Sequence, residues 1–188
     1  MNYGCLMQDY NVLVTFHHNE RMKAQEEVAE RVQQADLILE DMMESGVAGL
    51  LLLRIKGDGK EAVRRLRTFA MRFPEVFLHT HRWIPIEEWV SSEPEAMINA
   101  AKTFGARIAD GDRWRIDVEK RHYRGGSSQD IVRMLAEHIR TGIVDLDGAE
   151  VVLMVQIIEE YAGFSLVHED EILDINLIRK HIGLAKIG

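Results

Sequence analysis

The stretch that decides the fold runs from Trp114 to Ser128 and reads WRIDVEKRHYRGGSS. Trp114, Ile116 and Val118 alternate with charged residues, and this period of two predicts a β-strand with one buried face. A basic cluster follows, then two glycines, then two serines at a place typical of a helix start. The order of strand, basic loop and helix predicts an α/β protein with positive charge at the end of a strand.

Two interpretations of this loop are open. In the functional one the loop binds phosphate, because cationic side chains, glycine amides and the free N–H groups of a helix N-terminus all favour an anion. The residues of this candidate site are Lys120, Arg121, His122, Arg124, Gly125, Gly126, Ser127 and Ser128. In the structural one, Ser127 and Asp130 form a capping box that only starts the helix.

The residues after this loop predict the rest of a second domain. Ile131, Leu135 and Ile139 have the spacing of the apolar face of a helix, which Gly142 is expected to end. Val151 to Ile158 is an unbroken apolar run, typical of a strand covered on both faces. A shorter strand over 162–167 and a final amphipathic helix over 172–182 complete the chain.

The residues before the loop predict a first domain. Between residues 11 and 86 the pattern is strand, helix, two strands, helix and strand, with short turns between them. This βαββαβ order is that of a ferredoxin-like domain, an antiparallel sheet with two helices on one face. We therefore assign residues 1–90 to a ferredoxin-like domain and residues 91–188 to a second α/β domain that includes the C-terminal helix.

Composition and charge limit the function. The chain has 188 residues, 46% hydrophobic and 29% charged, and no apolar run near the ~20 residues that cross a bilayer. The lone Cys5 and the absence of a secretory pattern at the N-terminus indicate a cytoplasmic protein without a membrane partner. A net charge of −8 argues against nucleic acid, yet residues 61–124 carry more basic than acidic side chains. A local patch can still attract an anion.

Further basic residues and histidines extend the set of candidates. Arg64 and Arg67 on the second predicted helix, together with Arg82, are the best places for the first domain to meet phosphates. The pairs His17 and His18, and His79 and His81, are the metal ligands to consider, but surface roles are commoner for such pairs. No phosphate loop, dinucleotide fingerprint, zinc-spaced cysteines or nucleophile elbow is present. We expect no cofactor, no metal and no catalytic residue.

The second half of the chain resembles the THUMP domain, an RNA-binding module of tRNA-modifying proteins. The resemblance rests on VEKRHYRGGSSQDIVRMLAEHI followed by VDLDGAEVVLMVQIIEEYAGFSLV, and it covers roughly Ser91 to Val167. It implies a THUMP-like RNA-binding domain after a ferredoxin-like domain. Arg82 to Glu87 resembles the junction of one subgroup, which has no catalytic domain and looks like the adaptor for N4-acetylation of cytidine in tRNA.

The sequence departs from the family pattern at two places. Gly148 and Ala149 stand where an Asn-Pro pair is commoner, and Gln156 stands where Glu is commoner. Neither place is in the basic loop. The resemblance therefore implies a tRNA-binding adaptor, not an enzyme, that presents tRNA to a separate RNA cytidine acetyltransferase.

Two other functions remain open from the residues. One is an enzyme that acts on RNA with His122 or with the pair His79 and His81. The other is a ferredoxin-like interaction or ligand-binding protein with no role in RNA chemistry. The oligomeric state is not determined by the sequence.

Overall fold

The computed structural model describes residues 7–187, so Cys5 lies outside the described residues. The chain divides into two compact units. Unit 1 contains the described residues up to Ile86 together with those from Asp170 onward, and unit 2 is Glu87–Glu169. In the part of the chain that the structure describes, no helix is long and apolar enough to span a membrane.

The regular elements follow in chain order. They are β1 (Val12–Phe16), α1 (Arg21–Gln34), β2 (Leu39–Glu44), β3 (Leu50–Ile55), α2 (Gly59–Arg72), β4 (Thr80–Pro85), β5 (Glu88–Ser91), α3 (Pro94–Gly105), β6 (Arg113–Arg121), α4 (Ser128–Ala136), β7 (Ile143–Val144), β8 (Val151–Ile158), β9 (Tyr161–Val167), β10 (Leu173–Asp174) and α5 (Ile175–His181). Short 3₁₀ turns cover His18–Glu20, Pro74–Val76 and Glu169–Glu171.

Unit 1 has the predicted ferredoxin-like arrangement. Its sheet has the order β10-β4-β1-β3-β2 with every neighbouring pair antiparallel. In the central strand β1, Val14 lies between Leu51 of β3 and Trp83 of β4. Val28 of α1 and Leu66 of α2 pack into the same core, so both helices cover one face of this sheet. The βαββαβ prediction is confirmed.

The C-terminal segment belongs to unit 1, which corrects its assignment to the second domain. Leu173 pairs with Trp83 at the edge of the unit 1 sheet, and Ile175 is fully buried in the unit 1 core. Glu171 is 1% exposed and its carboxylate is neutralised by Arg64 of α2. The helix predicted over 172–182 covers only Ile175–His181, because Leu173 and Asp174 form the strand β10. Edge pairing and burial, which are long-range effects, decide this placement.

Unit 2 is built on a mixed sheet with the order β5-β9-β8-β6-β7. The strand β6 is parallel to β7 and β8, whereas β8, β9 and β5 are joined antiparallel. Phe104 of α3 and Leu135 of α4 pack on Leu153 and Phe164 of the sheet. All eight residues of β8 are buried, as its unbroken apolar run predicts. The mixed α/β fold class is confirmed.

The parallel pair of β6 and β8 positions the basic loop. The two strands are in register from Trp114 opposite Val151 to Arg121 opposite Ile158. The chain therefore leaves β6 at the carboxyl end of a parallel pair and enters α4 at Ser128. The α-helix ends at Ala136, earlier than Gly142. Beyond it the chain continues in a tighter turn, in which the amide of Ile139 donates to the carbonyl of Ala136.

Candidate nucleic-acid interface

The loop between β6 and α4 is the centre of the candidate site. His122 adopts the left-handed conformation, with φ of 54°, and turns the chain away from the strand. Of the loop residues, His122, Arg124 and Gly125 are exposed and Tyr123 is half-buried. The loop thus presents a cationic side chain and a glycine to solvent beside the start of a helix.

Arg121 does not contribute a free charge to this surface. Its guanidinium donates to the carboxylate of Glu119 at 2.8 Å and to the amide oxygen of Gln156 at 2.9 Å. Gln156 is fully buried, and the Arg121 side chain is 22% exposed. An arginine held by a carboxylate and a buried amide is largely neutralised, so Arg121 supports the end of the strand rather than attracting an anion.

Lys120 lies in β6, one residue before the end of the strand. Its Nζ donates to the carbonyl of Tyr123 at 3.4 Å, and it forms no ion pair among the described residues. The Tyr123 hydroxyl in turn donates to the carbonyl of Ser92 at 3.2 Å. Burial, helped by the nearby Glu93 carboxylate, raises the pKa of Tyr123, so the ring stays neutral. These bonds tie the loop to the preceding strand and to the start of α3.

Gly125 and Gly126 meet two different structural requirements of the loop. A side chain at Gly125 would overlap the hydroxyl end of Tyr123, so only glycine lets the loop pass over that ring. Gly126 has φ of 130°, a conformation that L side chains rarely adopt. Each glycine therefore allows a path that brings the backbone to the surface next to Arg124.

The helix start satisfies the capping-box interpretation. The Ser127 hydroxyl accepts from the amide of Asp130 at 3.1 Å, and the Asp130 carboxylate accepts from the Ser127 amide at 3.1 Å. The hydrogen bonds from Ser127 hold the pKa of Asp130 below its ordinary value. The N–H groups of Ser128 and Gln129 have no acceptor within the helix. The cap and an anion site can therefore coexist, although Asp130 places a negative charge beside that site.

Acidic residues border the exposed cations of the loop. His122 Nδ1 lies 3.5 Å from the carboxylate of Glu159, in the turn between β8 and β9. Arg124 is exposed and forms no ion pair among the described residues. Arg124 of the loop and Lys120 of β6 are therefore the two cations of the candidate site whose charge no carboxylate in the described structure neutralises.

The candidate residues of the first domain lie in unit 1 and are mostly engaged there. Arg64 pairs with Glu61 at 3.0 Å, with Asp170 at 3.5 Å and with Glu171. Arg82 Nε lies 3.8 Å from Asp174 of β10. Arg64 and Arg82 thus hold the C-terminal segment in place. Their contact with RNA, like that of Arg67, stays a prediction.

The histidines do not form a metal site in the described structure. His79 Nδ1 lies 3.0 Å from the carboxylate of Glu20, and His17 and His18 stack with ring centroids 4.7 Å apart. The hydrogen bond to His79 lowers the pKa of Glu20. Among residues 7–187 no group of three or more His, Cys, Asp or Glu side chains could hold a metal ion.

The site prediction omitted a second basic surface, in unit 1. Arg65 and Arg72 lie on the same side of α2 and line a groove with Phe69 and Phe73. Their spacing of seven residues, two helical turns, was the available sequence signal. The sequence pattern did not indicate that the C-terminal end of α1 lies opposite these arginines and forms the other wall of the groove.

Comparison with known proteins identifies the fold. No family model and no curated protein matches the sequence. Among solved structures, PH1313 from Pyrococcus horikoshii is similar with a TM-score of 0.63 and 13% identity over 85% of this chain and 55% of its own. TrmN from Thermus thermophilus gives 0.55 and 14%, over 82% of this chain and 44% of its own. A protein from Listeria monocytogenes, described as a predicted N6-adenine-specific DNA methylase, gives 0.53 and 13%, over 87% and 41%.

These similarities correct one expectation. The resemblance implied a protein that is not an enzyme, but this fold occurs in a chain described as a methylase. The expectation that this fold implies a protein without catalytic activity is therefore wrong. This chain spans about half the length of these structures or less. The comparisons show a mixed α/β, THUMP-like fold of two units.

Proposed function

We propose that this chain binds structured RNA, and tRNA in particular, through the loop between β6 and α4, and holds it for a nucleotide-modifying active site. The observation that carries the proposal is the state of Lys120 and Arg124. Both flank a glycine turn and a helix start with free N–H groups, and neither is neutralised by a carboxylate in the described structure. Free cations and amides of this kind hold phosphates, and phosphate contacts supply most of the affinity for RNA.

The shape of the RNA, rather than its base edges, is the feature that this loop would recognise. The loop offers donors and positive charge but only one exposed ring, that of His122. Phosphates and ribose hydroxyls are what a folded RNA presents at its surface. The loop would therefore fix the position of a folded RNA without selecting its sequence.

The modification chemistry is the finer part of the proposal. The sequence resemblance implies N4-acetylation of cytidine with a partner acetyltransferase, whereas a protein with the same fold is described as a methylase. Both reactions need the RNA to be held at a fixed distance from the reacting base. Incubation of the protein with tRNA and each donor, followed by nucleoside analysis, separates the two, and co-purification tests the acetyltransferase partner.

The structure selects the variants for the binding test. Reversing the charge of Arg121 would break its ion pair with Glu119, so a loss of binding there would be ambiguous. The informative change is Lys120→Ala with Arg124→Ala. The matched control is Arg140→Ala, an exposed arginine beyond the far end of α4 that forms no ion pair among the described residues.

The binding of tRNA is measured by gel shift at two salt concentrations. For the double variant we expect roughly tenfold weaker binding, and a slope of log K against log salt that falls by about two, one for each lost phosphate contact. Arg140→Ala should bind like the unsubstituted chain. Equal affinity and slope for the double variant would remove the loop from the function. No detectable tRNA binding by the unsubstituted chain, or binding that does not weaken with salt, would favour the interaction protein without an RNA role.

A further inference from the structure

A groove in unit 1 lies between the C-terminal end of α1 and the exposed face of α2. It has a volume of about 450 Å³. Its lining comprises Gln34, Ala35, Asp36, Glu61, Arg64, Arg65, Thr68, Phe69, Arg72 and Phe73. The groove combines positive charge on one wall with aromatic rings at one end.

Two arginines of the groove are available for a ligand. Arg65 is 42% exposed, and its only ion pair among the described residues is with Asp36 at 3.9 Å, whose own side chain is 93% exposed. Arg72 is exposed and forms no ion pair among the described residues. Seven residues of helix separate them by about 10 Å along the axis. Side chains of this length can hold two phosphates of one strand with a nucleotide between them.

An aromatic surface lies beside these arginines. Phe73 is 46% exposed at the end of α2, and its ring is 5.2 Å from that of Phe69. Because Phe69 packs on the core of unit 1, it supports the Phe73 ring from below. A supported, exposed ring next to cations is the arrangement on which an unpaired base stacks.

The charge of the two units favours this groove as a contact for a polyanion. Unit 2 contains 9 Lys and Arg against 16 Asp and Glu, whereas unit 1 contains 14 against 15. Unit 1 as a whole is therefore nearly neutral, and unit 2 is acidic. A weaker repulsive background leaves more of the local attraction of Arg65 and Arg72 for the ligand.

We propose that the groove of Arg65, Arg72 and Phe73 binds a single-stranded segment of nucleic acid, with phosphates on the two arginines and a base on the phenylalanine. This site is separate from the loop of the proposed function and does not depend on it. It would let unit 1 hold an unpaired end or loop of RNA. Asp36, which competes for Arg65, weakens the site in the unsubstituted chain.

The test uses the full chain and a fluorescein-labelled single-stranded oligoribonucleotide of eight nucleotides, in fluorescence anisotropy. Arg65→Ala with Arg72→Ala should lower the slope of log K against log salt by about 1.4, at ~0.7 for each single-strand phosphate contact. Phe73→Ala should weaken binding at least about fivefold through lost stacking. The matched control is Lys23→Ala, an exposed cation of α1 outside the groove whose one ion pair within residues 7–187 is with Glu20.

A variant with increased affinity separates the proposal from unfolding. Asp36→Asn removes the competing carboxylate and keeps a residue that tolerates the φ of 53° at this position. We expect about twofold to fivefold tighter binding of the oligonucleotide, since a negative charge beside Arg65 that repels the phosphates is removed. No misfolded variant produces that result.

The outcomes also separate this groove from the loop. Loss of oligonucleotide binding in the groove variants, with the Lys120 and Arg124 double variant unaffected, supports the groove whatever the loop does with tRNA. Unchanged binding in Arg65→Ala with Arg72→Ala overturns the groove proposal. Binding of a polyglutamate peptide in preference to the oligonucleotide also overturns it and would assign the groove to an acidic protein partner.

Discussion

Replacement of Glu27 by Gln tests the central polar contact of unit 1. Glu27 lies on α1 and is 4% exposed. One carboxylate oxygen accepts from the amides of Leu78 at 2.6 Å and His79 at 2.9 Å. The other accepts from the amide and the hydroxyl of Thr80, at 2.9 and 2.7 Å. A single buried carboxylate thus fixes the segment that leads into β4.

The expected loss follows from these four hydrogen bonds. Gln has one acceptor oxygen, so two of the four donors lose their acceptor and face an NH₂ group instead. Each buried donor left without a partner costs about 1–3 kcal/mol, which gives a loss of about 2–6 kcal/mol for Glu27→Gln. Because a domain is stable by only about 5–15 kcal/mol, unit 1 should become marginal.

The assay is urea unfolding followed by circular dichroism, with hydrogen exchange of the peptide that contains residues 78–80. Glu26→Gln is the matched control, because Glu26 is an exposed neighbour on the same helix and the substitution is chemically identical. We expect a change within about 0.5 kcal/mol for the control. In Glu27→Gln the amides of residues 78–80 should lose protection before those of β6 and β8 in unit 2.

A cost of less than about 1 kcal/mol for Glu27→Gln, or one no greater than that of Glu26→Gln, would refute the expected loss. Unchanged exchange of residues 78–80 would refute it as well. Either result would mean that water or another acceptor replaces the carboxylate at low cost.

Two further predictions concern the loop of unit 2. In Gly125→Ala the new methyl group overlaps Tyr123 and breaks its hydrogen bond to Ser92, so the affinity for tRNA should fall. The control is Gly111→Ala, where the added carbon meets open space and the affinity should stay unchanged. Equal affinities of the two variants in gel shift would contradict this prediction. Because the pKa of Asp130 is lowered, its carboxylate stabilises the start of α4 at every pH above the ordinary pKa of an aspartate. This stabilisation is lost as the pH falls through the lowered pKa. Amide exchange at the first turn of α4 should therefore accelerate in acid. Ser127→Ala removes the hydroxyl but keeps the bond from the backbone amide of residue 127, so it should reduce that pH dependence; an identical profile in the variant would exclude the Ser127 hydroxyl as a cause.

The order and type of the main elements were predictable because each has a local signal. Val12–Phe16 and Val151–Ile158 are apolar runs of strand length, and Ser127 with Asp130 is a helix-start pattern that forms as expected. The two-residue strands β7 and β10 have no such signal. They form only because a neighbouring strand offers its edge, so no periodicity of their own could indicate them.

The local structure of the candidate site was predictable from the sequence, but the pairing of its charges was not. Residues 120–128 run from the end of β6 through the loop to the first residue of α4, so their proximity follows from their adjacency in sequence. The state of each charge depends on partners distant in sequence, such as Gln156 for Arg121 and Glu171 for Arg64. A list of basic residues therefore overestimates the free positive charge, because pairing with carboxylates is a tertiary property.

By itself the amino-acid sequence determined the alternation of strands and helices, the ferredoxin-like order of the first half, and the strand, basic loop and helix that define the candidate site. These follow from periodicity, glycine conformation and helix capping, which act over a few residues. Only the tertiary structure decided that the C-terminal segment closes unit 1, that Arg121 is neutralised while Lys120 and Arg124 are not, and that Arg65 and Arg72 face a groove. Burial and ion pairing join residues far apart in the chain, and no local pattern encodes which carboxylate reaches which cation.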